Sequence, residues 1–151
     1  MNTSRLNTVL EKTGWVLADG ATGTNLFQAG LQTGYPPELW NVERPEDIMA
    51  LHTSFIDAGS QLILTNSFGG AAHRLWLHAA QDRVGELNLA AAKLACHAAD
   101  SGRDRHGHEI VVAGSIGPTG ELFAPMGALD HADALAAFTE QAEELALSLI
   151  H

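Results

Sequence analysis

Residues 61–70 read QLILTNSFGG, a short apolar run broken by threonine and asparagine and closed by two glycines. An apolar run of this length reads as a strand, and polar residues followed by glycine are how such a strand ends in a loop. The theme occurs twice more. It stands earlier as WVLADGATGTN, residues 15–25, and later as EIVVAGSIGPTGE, residues 109–121.

What separates the three copies decides the class. RPEDIMALHTSFIDAGS, residues 44–60, puts Ile48, Leu51, Phe55 and Ile56 on one helical face, with Pro45 and early acids as the start and Gly59 as the stop. An alanine-rich stretch from about Arg83 to Ala99 predicts a second helix, and HADALAAFTEQAEELALSLI, residues 131–150, a third. Ahead of the first strand, Leu6, Val9 and Leu10 suit a short amphipathic helix over residues 2–13, stopped by Gly14. NLFQAGL reads as a helical turn closed at Gly30, and Pro36 and Pro37 make QTGYPPELWN an ordered loop. The order is a helix, then strand, loop and helix three times. Such alternation implies right-handed crossovers and a parallel sheet, so the fold class is α/β. The polar and glycine residues then gather at the carboxyl ends of the strands, where parallel α/β folds place their sites.

Composition narrows the function. With 151 residues, 46% of them hydrophobic, the chain can bury one core. A formal charge of −10 with scattered Arg and Lys argues against nucleic acid as a partner. No run approaches the roughly 18 apolar residues of a membrane span, and no cationic start leads into an apolar h-region. Cys96 is the only cysteine, which excludes an internal disulfide framework and fits a reducing cytoplasm.

Taken together and in order, LADGATGTNLF, GSQLILTNSFGG and VVAGSIGPTGE resemble the homocysteine S-methyltransferase family, and PELWNVERPEDI is most similar to its bacterial betaine-homocysteine methyltransferase branch. The resemblance implies a (β/α)8 TIM barrel in which zinc held by three cysteines binds the homocysteine thiol. A methyl group then passes from a donor, betaine or similar, to sulfur, giving methionine. Free thiols have a pKa of about 8.5, and a metal removes that proton outright. By the same resemblance Asp19, Gly20 and Thr65 would contact homocysteine, with Asp19 suited to the ammonium group and glycine-loop N–H groups to the carboxylate. Asn66, Ser67, Ser115 and Gly117 stand behind them.

The chain also departs from the family. Its zinc cysteines, one in an Asn-Cys context and a Cys-Cys pair in a glycine-rich loop, are missing, as is the glutamate of the fourth strand. Cys96 lies in a helical pattern and reads as a packing residue. No catalytic residue and no metal ligand is therefore assigned. A (β/α)8 barrel takes about 250 residues, so residues 1–151 are expected to form a partial barrel domain, about three βα units plus a leading helix, with the carboxyl-terminal half absent. As a fragment the chain would be inactive and would expose two sheet edges open to self-association. Two alternatives stand beside this: a non-catalytic half-barrel pairing with a complementary chain, and a small flavodoxin-like binding domain.

Other features carry blander readings. The glycine loops lack the lysine of a phosphate loop and the order of a dinucleotide fingerprint. His106 and His108 in RHGHE read as an exposed helix-to-strand loop at the end away from the site, and all eight histidines as structural or solvent-facing. Trp40 and Trp76 read as packing residues rather than as a cation–π border for the methyl donor.

Overall fold

The computed structural model describes residues 5–149. Among these lie seven α-helices and a two-stranded parallel sheet. Helix α1 (Arg5–Thr13) leads into α2 (Thr22–Gln28), α3 (Trp40–Glu43) and α4 (Pro45–Asp57). Strand β1 (Leu62–Leu64) follows, then α5 (Ala72–Trp76), α6 (Val84–His106), β2 (Val111–Ala113) and α7 (His131–Leu149). The strands pair in register, Leu62 with Val111 and Leu64 with Ala113.

The first expected strand is reduced to a single parallel bridge between Ala18 and Leu62, flanked by Gln61 N–H to Leu17 O at 2.8 Å and Asp19 N–H to Leu62 O at 2.9 Å. It still lies alongside β1, opposite β2. The expectation of a buried strand there is corrected: Trp15 is 59% exposed and Leu17 47%. Among the described residues nothing covers that face, so burial does not lengthen the pairing.

Alternation along β1 shows which face is packed. Ile63 meets Ile56 of α4, Ala95, Ala98 and Ala99 of α6, and Ile110, while neighbouring Leu64 on the other face is 39% exposed. The alanines bring α6 close, and a side chain at Gly102 would meet Ile110 and Ile56 within 2.7 Å. A second cluster, Leu26, Leu31, Trp40, Ile48 and Leu51, seats α2 and α3 on α4. Trp40 packs as expected, with the Arg44 guanidinium 4.2 Å over its ring. Trp76 does not: it is 68% exposed.

Sequence patterns place α4 well. Pro45 opens it and Gly59, at φ 105°, follows its end. Helix α6 runs beyond Ala99 to His106, because Arg103 ties its last turn to Ile110 O and Gly107, at φ 70°, supplies the left-handed stop. The proline-containing loop holds a 3-10 turn at Pro37–Leu39 and the short α3, neither visible in periodicity. His106 sits in the last turn of α6, bonded to Asp57 at 2.8 Å, at the amino-terminal side of β2 and away from the strand-end loops. His52 lies in the core of α4, 2% exposed with neither ring nitrogen partnered, and burial pushes its pKa down to about 4.

Candidate functional site

The centre of the site is Thr65, the residue after β1. Its backbone N–H continues the ladder to Ala113 O at 3.0 Å, which fixes where its side chain stands. Its hydroxyl oxygen accepts from Ser115 N–H at 2.9 Å and lies 2.6 Å from the Ser67 hydroxyl. The Ser67 hydroxyl in turn donates to Ser115 O at 2.8 Å. Two strand-end loops are thereby joined through hydroxyls. Gly117 N–H adds a bond to Phe68 O at 2.9 Å, and a side chain at Gly117 would strike that oxygen at 2.4 Å.

The 66–70 backbone is clamped by distant side chains. Asn66 O accepts from Asn41 Nδ2 at 2.8 Å, Ser67 O from Gln141 Nε2 at 2.6 Å, and Gly70 O from Asn88 Nδ2 at 2.8 Å. Gly69 N–H donates to Glu38 Oε1 at 2.6 Å, and Asn66 Nδ2 donates to Pro37 O at 2.8 Å. All these side chains are buried. Sequence reading missed Glu38, Asn41, Asn88 and Gln141, since a polar residue in a loop or helix reads by default as solvent-facing. A faint signal existed for two: Asn88 and Gln141 interrupt otherwise apolar or alanine-rich faces of their helices.

Beside the clamp lies a cavity of about 530 Å³. Thr65, Asn66, Ser67 and Ser115 line it, together with Glu38, Tyr35, Phe68, Arg74 and His78. Asp19, Gly20 and Gly117 are not among its lining residues. Asp19 nevertheless abuts the wall: its Oδ2 accepts from the N–H of Leu64, a lining residue, at 2.9 Å. Its Oδ1 has no partner, and burial raises the carboxyl's pKa against the opposing pull of the Leu64 N–H. Gly20 sits against Phe55, whose ring edge would be 3.2 Å from an added Cβ.

The donor set does not suit zinc. Of zinc-ligand types the cavity lining offers one carboxylate, Glu38, and one imidazole, His78, whereas a structural or catalytic zinc takes three or four Cys, His or carboxylate ligands. Among the described residues no group of three such side chains is placed to hold a metal ion. Cys96 is on α6 with its thiol directed at Ser148 O, 3.4 Å away, and burial raises its pKa.

The sequence model of the family described as homocysteine S-methyltransferase matches residues 16–150. The methionine synthase of Mycobacterium leprae (strain TN) is 29% identical over 147 residues, 93% of this chain but 12% of that protein. Its counterpart in Mycobacterium tuberculosis is 30% identical over 135 residues, 84% of this chain and 11% of that one. Among solved structures, the oxidized form of the Escherichia coli homocysteine methyltransferase MmuM superposes with a TM-score of 0.78 at 25% identity, covering 96% of this chain and 53% of that one. Its metallated form gives 0.80 at 24% identity, covering 96% and 54%, a likeness of fold. The chain thus spans about half the length of MmuM and a small part of the methionine synthases. With a family match running from residue 16 to residue 150, the chain belongs to the homocysteine S-methyltransferase family.

Proposed function

We propose that this chain contributes the homocysteine-gripping part of a methyl transfer to sulfur, giving methionine, and that it forms the first three βα units of a (β/α)8 barrel. Family membership and the superposition on MmuM support the reading. The observation that carries it is the Thr65–Ser67–Ser115 hydroxyl cluster, which joins two strand-end loops at the wall of one cavity. In this reading Asp19 takes the amino acid's ammonium group, the Gly20 N–H its carboxylate, and Thr65 a polar contact between them. The methyl donor is betaine or a similar compound, and the setting is a reducing cytoplasm, in keeping with a lone, half-buried Cys96. Among the described residues no ligand set for zinc is gathered, so no step of the transfer is assigned to it. The isolated chain accordingly binds homocysteine but transfers no methyl group.

Titration of the ¹⁵N-labelled chain with L-homocysteine tests this. The reading requires saturable shifts at the Gly20, Thr65 and Ser115 amides that weaken in Thr65→Val. Shifts confined to other surfaces, or methionine formation by the isolated chain, would refute it.

A second reading, a half-barrel module that pairs with a complementary chain or with itself, is favoured by one observation. Leu17, Leu64, Phe68 and Ile116, around the strand ends, are each at least 39% exposed. Sedimentation velocity distinguishes the two, since a monomer at all concentrations removes the self-association.

A further inference from the structure

Glu38 is the cavity's one carboxylate among the described lining residues, and the fold goes to some length to put it there. Pro36 and Pro37 restrict the backbone ahead of it, and Asn66 Nδ2 pins Pro37 O at 2.8 Å. Leu39 N–H closes the 3-10 turn on Pro36 O at 3.2 Å. The side chain is 5% exposed, and Oε1 accepts from Gly69 N–H at 2.6 Å. The approach is close: a Cβ at position 69 would stand 2.9 Å from Oε1 and displace the carboxylate.

Among the described residues that single N–H is the carboxylate's only hydrogen-bond partner. No ion pair reaches it among the described residues, although Arg74 lines the same cavity. A buried carboxylate is costly unless charge and hydrogen bonds complete its surroundings, and one backbone N–H leaves most of its acceptor capacity unused. Asp19 likewise gives one oxygen, Oδ2, to a backbone N–H and leaves Oδ1 without a partner, but it is absent from the cavity lining. The negative charge that faces the cavity belongs to Glu38.

We propose that Glu38 is a ligand-binding residue that receives the cationic group of the cavity's occupant. Resting on the reading of this cavity as a substrate site, it adds Glu38 to that site as an acidic contact for a cation, an amino-acid ammonium shared with Asp19 or an alkylated ammonium of a methyl donor. Gly69 N–H, hydrogen-bonded to the same carboxylate, is a built-in reporter.

The test is a titration of the ¹⁵N-labelled chain with L-homocysteine and with glycine betaine. Each is set against an isostere lacking the positive charge, 4-mercaptobutyrate and 3,3-dimethylbutyrate. The expected result is a saturable shift at Gly69 with a charged ligand, weakened about tenfold or more in Glu38→Gln, the scale of a hydrogen bond to a charged group, with the matching isostere unaffected. Which ligand responds tells the ammonium from the alkylated ammonium. Glu38→Gln keeps an acceptor for Gly69 N–H. Should that variant fail to fold, the isosteres on the unaltered chain still decide. The proposal is overturned if an isostere binds as tightly as its charged parent, if Glu38→Gln binds both charged ligands normally, or if neither charged ligand moves Gly69. Homocysteine shifts at Thr65 and Ser115 that persist in Glu38→Gln would remove this proposal and leave the homocysteine reading standing. A Glu38-dependent betaine response without homocysteine binding would do the reverse.

Discussion

The loop after Ala18 and the loop after β1 look alike in sequence, each a polar residue and glycines following a short apolar run, yet they are built differently. Between residues 65 and 70, threonine, asparagine and serine are buried, and four backbone groups are held by side chains from α3, α6, α7 and the Pro37–Leu39 turn. Around Asp19 the chain is half-open, held by bonds to the backbone of Gln61 and β1 and by two long side-chain bonds, from Ser60 Oγ to Ala18 O at 3.5 Å and from Leu17 N–H to Gln61 Oε1 at 3.4 Å. Helices α6 and α7 pack behind the β1 loop, while the uncovered face of the sheet lies beside Leu17. Polar residues bind one loop firmly because they are desolvated together with their partners; the other remains adjustable because water still competes for its groups.

Alanine at Gly70 and at Gly20 probes the contrast most strongly. At Gly70 the new methyl would fall 2.5 Å from Asn88 Oδ1 and 2.9 Å from Gln141 Nε2, both buried. Overpacking together with a lost buried hydrogen bond places the cost at about 3–4 kcal/mol. At Gly20 the sole close neighbour is the Phe55 ring edge, which can yield, so the cost is under about 1 kcal/mol. Urea unfolding of both variants measures the difference, and equal costs would erase the distinction between the loops.

Acid sharpens it from behind the site. His52 is buried without a partner in α4, with a folded-state pKa near 4 against an ordinary 6.5. As pH falls from 6.5 towards 4 the unfolded chain takes up a proton that the folded chain refuses, so about 3 kcal/mol of stability is lost across that window. His52→Leu is expected to flatten this slope in melts taken at stepped pH. The smallest effect belongs to Asp19, whose raised pKa means that ionisation opposes folding: its stability contribution is present at low pH and lost as pH rises through the folded value. Asp19→Asn, still able to accept from Leu64 N–H, is expected to gain under about 1 kcal/mol at neutral pH, because the half-exposed group is screened, and nothing at low pH.

Much of this was legible in the sequence, though unevenly. Pro45 and Gly59 bracket α4 because proline fixes φ at a helix start and glycine accepts the left-handed stop, both properties of single residues. The Ile63 strand and the Ala95–Ala99 helix face declared themselves through apolar content. Trp15–Ala18 did not keep its strand, because strand length depends on a covered face and neighbours on both sides. Glu38 was hidden for the opposite reason. In PPEL it is one more charged loop residue, and only its approach to Gly69, 31 positions away, distinguishes it.

The sequence by itself determined the long helices α4, α6 and α7, the two paired strands, the α/β class and the family, since steric preference, hydrophobic period and the three loop motifs are carried by residues close together in the chain. The tertiary structure alone decided which polar side chains are buried and what they hold. Gln141 meets Ser67 across 74 residues, a contact that exists only once α6 and α7 have packed behind the β1 loop.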